Sequence, residues 1–153
     1  MDFTELEILR VAESLADAIW QKIVVWEVFA KDTIGKQLAR SVDSVGANIA
    51  EAYGRYHFGD KLKFLYYARG SLFETKYWLN RSAKRGLLTN QEVQTYLSDL
   101  TKLAKQLNSL AASTRKQSAK PITKGIRETK DVYSVEVELF SSQELEHLAE
   151  LDN

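Results

Sequence analysis

Apolar residues recur at helical spacing along most of the chain. Leu9, Ala12, Ala16, Ile19, Ile23, Trp26 and Ala30 step by three and four, which predicts a helix from Thr4 to Lys31. Asp32-Thr33 offers a break and an N-cap for a second helix reaching about Tyr53. That segment has an apolar stripe of Leu38, Val42, Val45 and Ile49. A polar stripe of Ser41, Ser44, Asn48, Glu51 and Arg55 runs beside it. Gly54 and residues 57–60 read as a turn. A third helix then runs from about Asp60 to Lys84, its seam built from Phe58, Leu62, Leu65, Leu72 and Leu79. Gly86 reads as its C-terminal cap. Thr89 and Glu92 form a capping box for a fourth helix. The fourth seam is Val93, Leu97, Leu100, Ala104, Leu107 and Ala111, flanked by Tyr96, Leu103 and Leu110.

Four helices with short loops predict an all-α, antiparallel up-down-up-down four-helix bundle over residues 1–113, with a C-terminal extension. Gly46 and Gly70 fall inside helices, where glycine costs up to ~1 kcal/mol relative to alanine. A close helix contact is the expected reason. The third helix also carries Phe64, Tyr66, Tyr67, Phe73, Tyr77 and Trp78 on more than one face. One bundle buries one broad stripe per helix, so this excess predicts a subunit interface.

The seam of the third helix also contains Arg69 and Lys76. A buried arginine needs a carboxylate, because an unpaired charge in an apolar seam costs several kcal/mol. Glu51 is the natural candidate within the bundle. Asn48, Glu51, Arg55, Arg69 and Glu74 are therefore expected to form a structural polar network rather than a catalytic one.

Beyond residue 113 the pattern changes. Residues 114–130 hold six basic residues and the chain's single proline, and read as an extended basic linker. Residues 132–140 alternate through Tyr133, Val135, Val137 and Leu139, a strand pattern. Ser141 and Glu144 make a capping box for a short acidic helix ending near Leu151. Residues 131–153 thus form an acidic tail.

The net charge is zero, but it is segregated. Residues 1–32 carry −4, residues 33–130 carry +11 and residues 131–153 carry −7. A basic middle points to a polyanion or to an intramolecular acidic partner. Candidate phosphate-contacting cations are Lys36, Arg40, Lys61, Lys63, Lys84, Arg85, Lys102, Lys105, Arg115, Lys116, Lys120, Lys124, Arg127 and Lys130. No helix-turn-helix or single-strand sheet platform accompanies them, so binding of RNA or DNA would be electrostatic and weakly sequence-selective.

Enzyme signatures are thin. No phosphate-cradling glycine loop or nucleophile elbow occurs, and there is no cysteine. Glu144 and His147 have the spacing of a di-iron half-motif, but such a site needs two motifs and further carboxylates. Neither a metal nor a cofactor is expected. The N-terminus opens on Asp2, Glu5 and Glu7 and does not read as a signal peptide, and no apolar run is long enough for a bilayer. A cytoplasmic, membrane-free location follows as the expectation.

The residues Ser44, Asn48-Ile49-Ala50-Glu51 and Gly54-Arg55, then Phe64, Ala68-Arg69-Gly70-Ser71-Leu72 and Glu74, resemble the bacterial 23S rRNA intervening-sequence proteins. The resemblance extends more weakly from about Leu6 to Leu110. The accessory variability protein of diversity-generating retroelements is a relative of that family. Ala52 stands where the family usually has glycine, and alanine lets the helix run on. The resemblance implies a toroidal homo-oligomer, typically a pentamer, and suggests nucleic-acid binding as an accessory factor to a processing protein. It implies no reaction. The alternative is a protein–protein interaction scaffold with the C-terminal tail as its docking segment.

Overall fold

The computed structural model describes residues 3–118 and 138–153, and every regular element among them is helical. Helix α1 (Phe3–Ile23) buries Ile8, Ala12, Leu15, Ala16, Ile19 and Ile23. It ends earlier than its apolar period suggests. Ile23, Val24 and Val25 are three consecutive β-branched residues, and such side chains crowd the preceding turn. Trp26 closes a tight turn onto the Ile23 carbonyl at 3.0 Å. Glu27 is extended, and its carboxylate accepts the Ala30 N–H at 3.2 Å. Glu27, not Asp32 or Thr33, is therefore the N-cap. Thr33 lies inside the following turns, its hydroxyl donating to the Phe29 carbonyl at 2.7 Å.

From Glu27 the chain makes one helical turn, α2 (Val28–Ala30), then a π turn over Lys31–Gly35, and continues as α3 (Lys36–Gly54). In the π turn the Lys36 N–H reaches the Lys31 carbonyl, five residues back. Ile34 and Leu38 both point into the core beyond it. Val42, Val45, Ile49 and Ala52 continue that stripe, and the helix does run on through Ala52 to Gly54. Buried Ser41 is satisfied by donating to the Leu38 carbonyl at 3.0 Å.

Helix α4 (Phe58–Lys84) buries Leu62, Leu65, Ala68, Leu72 and Leu79, together with Thr75 and Lys76. Gly86, at φ 70°, closes it, with the Leu87 N–H on the Ser82 carbonyl at 2.9 Å. The Thr89–Glu92 capping box opens α5 (Asn90–Ser118) as expected. Its seam holds Val93, Leu97, Leu100, Leu103, Ala104, Leu107 and Ala111 at full burial. The helix passes residue 113 because nothing breaks it there. Thr114 is buried and bonds back to the Leu110 carbonyl at 2.8 Å. The predicted linker therefore begins as helix, and residues 119–130 lie outside the described residues.

Helix α1 packs on α3 and α5, and α4 packs on the same two, so α1 and α4 face each other across the bundle diagonal. This is the up-down-up-down arrangement. The C-terminal segment adds a layer that the sequence pattern did not place. Helix α6 (Ser142–Ala149), opened by the expected Ser141–Glu144 capping box, lies on α5 and reaches α4 through side chains. Leu139, Phe140 and Leu148 are fully buried members of the main core. Most of the predicted strand over 132–140 lies outside the described residues. Its described end, Glu138–Phe140, is a bend in which neighbouring Leu139 and Phe140 are both buried, which alternation would forbid.

The close glycine contact is at Gly35. A Cβ there would lie 2.8 Å from Ile23 Cγ2 and 3.2 Å from the Ala30 carbonyl oxygen. At Gly46 a Cβ would meet Ala12 at an ordinary 3.7 Å, and at Gly70 nothing lies within 4 Å, so Gly70 makes no close helix contact within the chain. Thermal unfolding checks the contrast. Gly35→Ala is expected to destabilise by about 1–3 kcal/mol through overpacking. Gly70→Ala is expected to be neutral or to stabilise by up to ~1 kcal/mol. Equal effects at both positions would contradict this packing.

Candidate nucleic-acid interface

The antiparallel bundle sorts the candidate cations by end. Lys36 and Arg40 open α3, and Lys84 and Arg85 close α4, so these four share one end. All four are exposed. The α1–α3 connection juts out beside them, with Val25 at 80% and Phe29 at 74% exposure. Trp20, Val24 and Val28 extend this apolar surface. Trp20 and Phe29 are the aromatic members of this surface, and among the described residues neither ring makes a cation–π contact with the four cations.

The opposite end differs in chemistry. Lys63 lies at the start of α4, with its Nζ 5.9 Å from the Tyr67 ring centre. Arg115, near the end of α5, donates from Nη2 to the Tyr66 hydroxyl at 3.4 Å. Lys116 is exposed beside it. Tyr56, Tyr66 and Tyr67 are all exposed. Lys61 is half-buried, its Nζ 5.7 Å from the Phe58 ring centre. The sequence continues from this end into residues 119–130, where Lys120, Lys124, Arg127 and Lys130 lie outside the described residues.

Lys102 and Lys105 belong to neither group. They sit mid-way along α5, and Lys102 lines a shallow groove of about 390 Å³ with Arg10, Glu7 and Asp99. The two carboxylates there weaken any positive field. None of these ten described cations forms an ion pair within 4 Å of a described carboxylate.

The expected polar network is distributed differently. Arg55 pairs with Glu51 one turn away on the exposed face of α3, and its guanidinium lies 4.6 Å from the Phe64 ring centre. Asn48 donates to Ser71 Oγ at 3.4 Å across α3 and α4. Glu74 accepts from Trp78 Nε1 at 3.3 Å on α4 alone. Arg69 does not meet Glu51. It pairs with Glu144 and donates from Nε to the Leu139 carbonyl at 2.6 Å. Glu51 lies on the exposed face of α3, whereas Arg69 faces the C-terminal segment. Arg69 does take a carboxylate, as its place in an apolar seam demands, and the tail supplies it.

Lys76 makes the same demand more strongly. It is only 3% exposed, and its Nζ reaches the His147 carbonyl, the Glu150 carbonyl at 2.7 Å and the Asp152 carboxylate at 3.3 Å. Asn80 holds Asp152 at 3.0 Å. Asn108 takes both the N–H and the carbonyl of Phe140, each at 2.8 Å. Gln94 caps the Ala149 carbonyl at 2.8 Å. These docking residues were missed, apart from Arg69 and Lys76. Their signal in sequence was polar side chains beside the apolar seams of two adjacent helices. Glu144, the carboxylate of the half-motif with His147, is engaged by Arg69 and by the Ser141 N–H.

The family model described as 23S rRNA-intervening sequence protein matches residues 4–109. The chain belongs to that family. No curated protein is significantly similar to it. The match to the 23S rRNA-intervening sequence protein model covers the four-helix bundle nearly to the end of α5. It stops before the segment that pairs with Arg69 and Lys76.

The Glu144 carboxyl is held below its ordinary range, first by the Ser141 backbone N–H and then by the Arg69 guanidinium, against partial burial. A carboxylate whose folded pKa is lowered adds stability that is present above its unfolded pKa and is lost as pH falls through the folded value. Urea midpoints should therefore drop between about pH 5 and 3, more steeply in the wild type than in Glu144→Gln. A Glu144→Gln profile as steep as the wild type's would contradict the Arg69–Glu144 pairing.

Proposed function

We propose that this chain is a non-enzymatic, cytoplasmic nucleic-acid-binding protein that acts as a homo-oligomer. Single-stranded RNA or DNA is its preferred ligand, bound mainly at the end that carries Tyr56, Tyr66, Tyr67, Lys63, Arg115 and Lys116. The observation behind this reading is that exposed tyrosines lie together with cations that have no described ion-pair partner at that one end, from which the sequence continues into the basic residues 119–130. Cations neutralise phosphates, and aromatic faces stack on unpaired bases without regard to sequence. Family membership is compatible with such a role. The acidic tail supports it too, because its described ion pairs go to Arg69 and Lys76 and not to the described candidate cations.

Assembly into a ring, with a pentamer as the family resemblance implies, would multiply weak contacts by avidity. An accessory role beside a nucleic-acid-processing protein fits a molecule that binds without reading bases. Among the described residues no helix is long and apolar enough to cross a membrane. The second reading is a protein-binding scaffold. It draws on the exposed Trp20, Val24, Val25, Val28 and Phe29 rather than on the tail, whose apolar anchors are already buried.

Titrating labelled single-stranded RNA and duplex DNA across a salt series tests the first reading. Affinity for the single strand should fall steeply with salt, at about 0.7 log units per tenfold salt for each phosphate neutralised. Replacing Lys63 and Lys116 with alanine should make the slope shallower, by that amount for each phosphate left without its cation. Tyr66→Ala with Tyr67→Ala should weaken single-strand binding by about 1–3 kcal/mol per stacked base and spare the duplex. No binding at low salt would overturn the reading and leave the scaffold.

A further inference from the structure

The groove between α4 and α5 is a receptor for one short peptide pattern, Leu139-Phe140-Ser141, then Glu144, Leu148 and Asp152. Apolar anchors fill it at Leu139, Phe140 and Leu148, each at most 1% exposed. Polar groups fix their direction and register: Asn108 at one end, Arg69 and Gln94 between, Lys76 and Asn80 at the other. The segment is self-contained, since its own capping box organises α6 and its described hydrogen-bond partners outside itself lie on α4 and α5. It also lies wholly outside residues 4–109, the part common to the family.

The tether between bundle and segment is far longer than the structure requires. Ser118 ends α5 only ten residues beyond Asn108, which grips Phe140, a distance of about 15 Å along the helix. Residues 119–137 join these two points, and a chain of that length reaches up to about 65 Å. A groove on an adjacent copy offers the segment identical contacts. Moving there loses no hydrogen bond and no buried area, and it adds an intersubunit link.

We propose that the C-terminal segment is a transferable latch, and that in the assembled protein residues 138–153 of one copy occupy the α4–α5 groove of another. The proposal draws on the self-assembly proposed above and is independent of nucleic-acid binding. Its consequence is a chain of tail-in-groove contacts joining subunits through Phe140 and the Arg69 and Lys76 cations.

The chain has no cysteine, so single cysteines report contacts cleanly. Gln94 and Ala149 touch across the groove, and neither is a core residue. Full-length Gln94→Cys and Ala149→Cys chains, one enlarged by a tag, are unfolded together, refolded and treated with a short bismaleimide. Each chain alone gives the background, and light scattering on the same samples gives the mass. Exchange yields a cross-linked heterodimer well above background, abolished when Phe140→Ala is added to the Ala149→Cys chain. An assembly without the heterodimer, while a chain with both cysteines cross-links internally, overturns the exchange alone. A monomer overturns both the exchange and the proposed self-assembly. No cross-link in any sample overturns the docking itself.

Discussion

Two cations on the inner side of α4 set the terms for this structure. Arg69 and Lys76 sit seven residues apart, two turns on one helix face, beside a seam built mainly of leucine and alanine. Lys76 is almost wholly buried. A buried ammonium without oxygen partners would neutralise or force its helix apart. Here its partners are two carbonyls from the end of α6 and one carboxylate. Helix α4 can keep its place in the bundle as described because the C-terminal segment covers it. The segment in turn is held by groups that belong to the bundle. Neither part is an appendage of the other.

The four-helix core was legible because burial and helical period coincide. Every residue of the Leu38, Val42, Val45 and Ile49 stripe is buried, as is the α5 seam, and Gly86, Thr89 and Ser141 end or open helices as their chemistry demands. The errors share a different cause. The α1 stripe continued in sequence through Trp26 and Ala30, yet the chain turned at Val24–Glu27 and regained phase through a π turn, which shifts the period by a residue that no pattern announces. Arg69 and Glu51 both lie in the bundle, so local pattern favours Glu51 as the partner. The true partner is 75 residues away along the chain, a separation that local pattern cannot bridge. Gly70 looked like a packing residue and is open on this chain, whereas Gly35, at the π turn, is the crowded one.

The candidate interface was legible as composition and not as geometry. The sequence named fourteen cations and could not sort them. The fold divides the described ones into a group beside the apolar α1–α3 connection, a group interleaved with tyrosines and a pair on α5 near carboxylates. In the tyrosine-bearing group cations and aromatic rings are in direct contact, the chemistry that holds unpaired bases as well as phosphates. The acidic tail, the obvious counter-charge to the basic field, forms its described ion pairs inside the α4–α5 groove instead. Family membership is compatible with the role proposed for the tyrosine-bearing group.

The central claim is that residues 138–153 are an integral layer of the fold, bound through Lys76 and Arg69. Amide hydrogen exchange tests it most directly. The account predicts that α6 amides, Leu148 included, are strongly protected in the wild type, and that Lys76→Met strips this protection while α3 keeps its own. Wild-type α6 amides exchanging as fast as an unstructured peptide would contradict it.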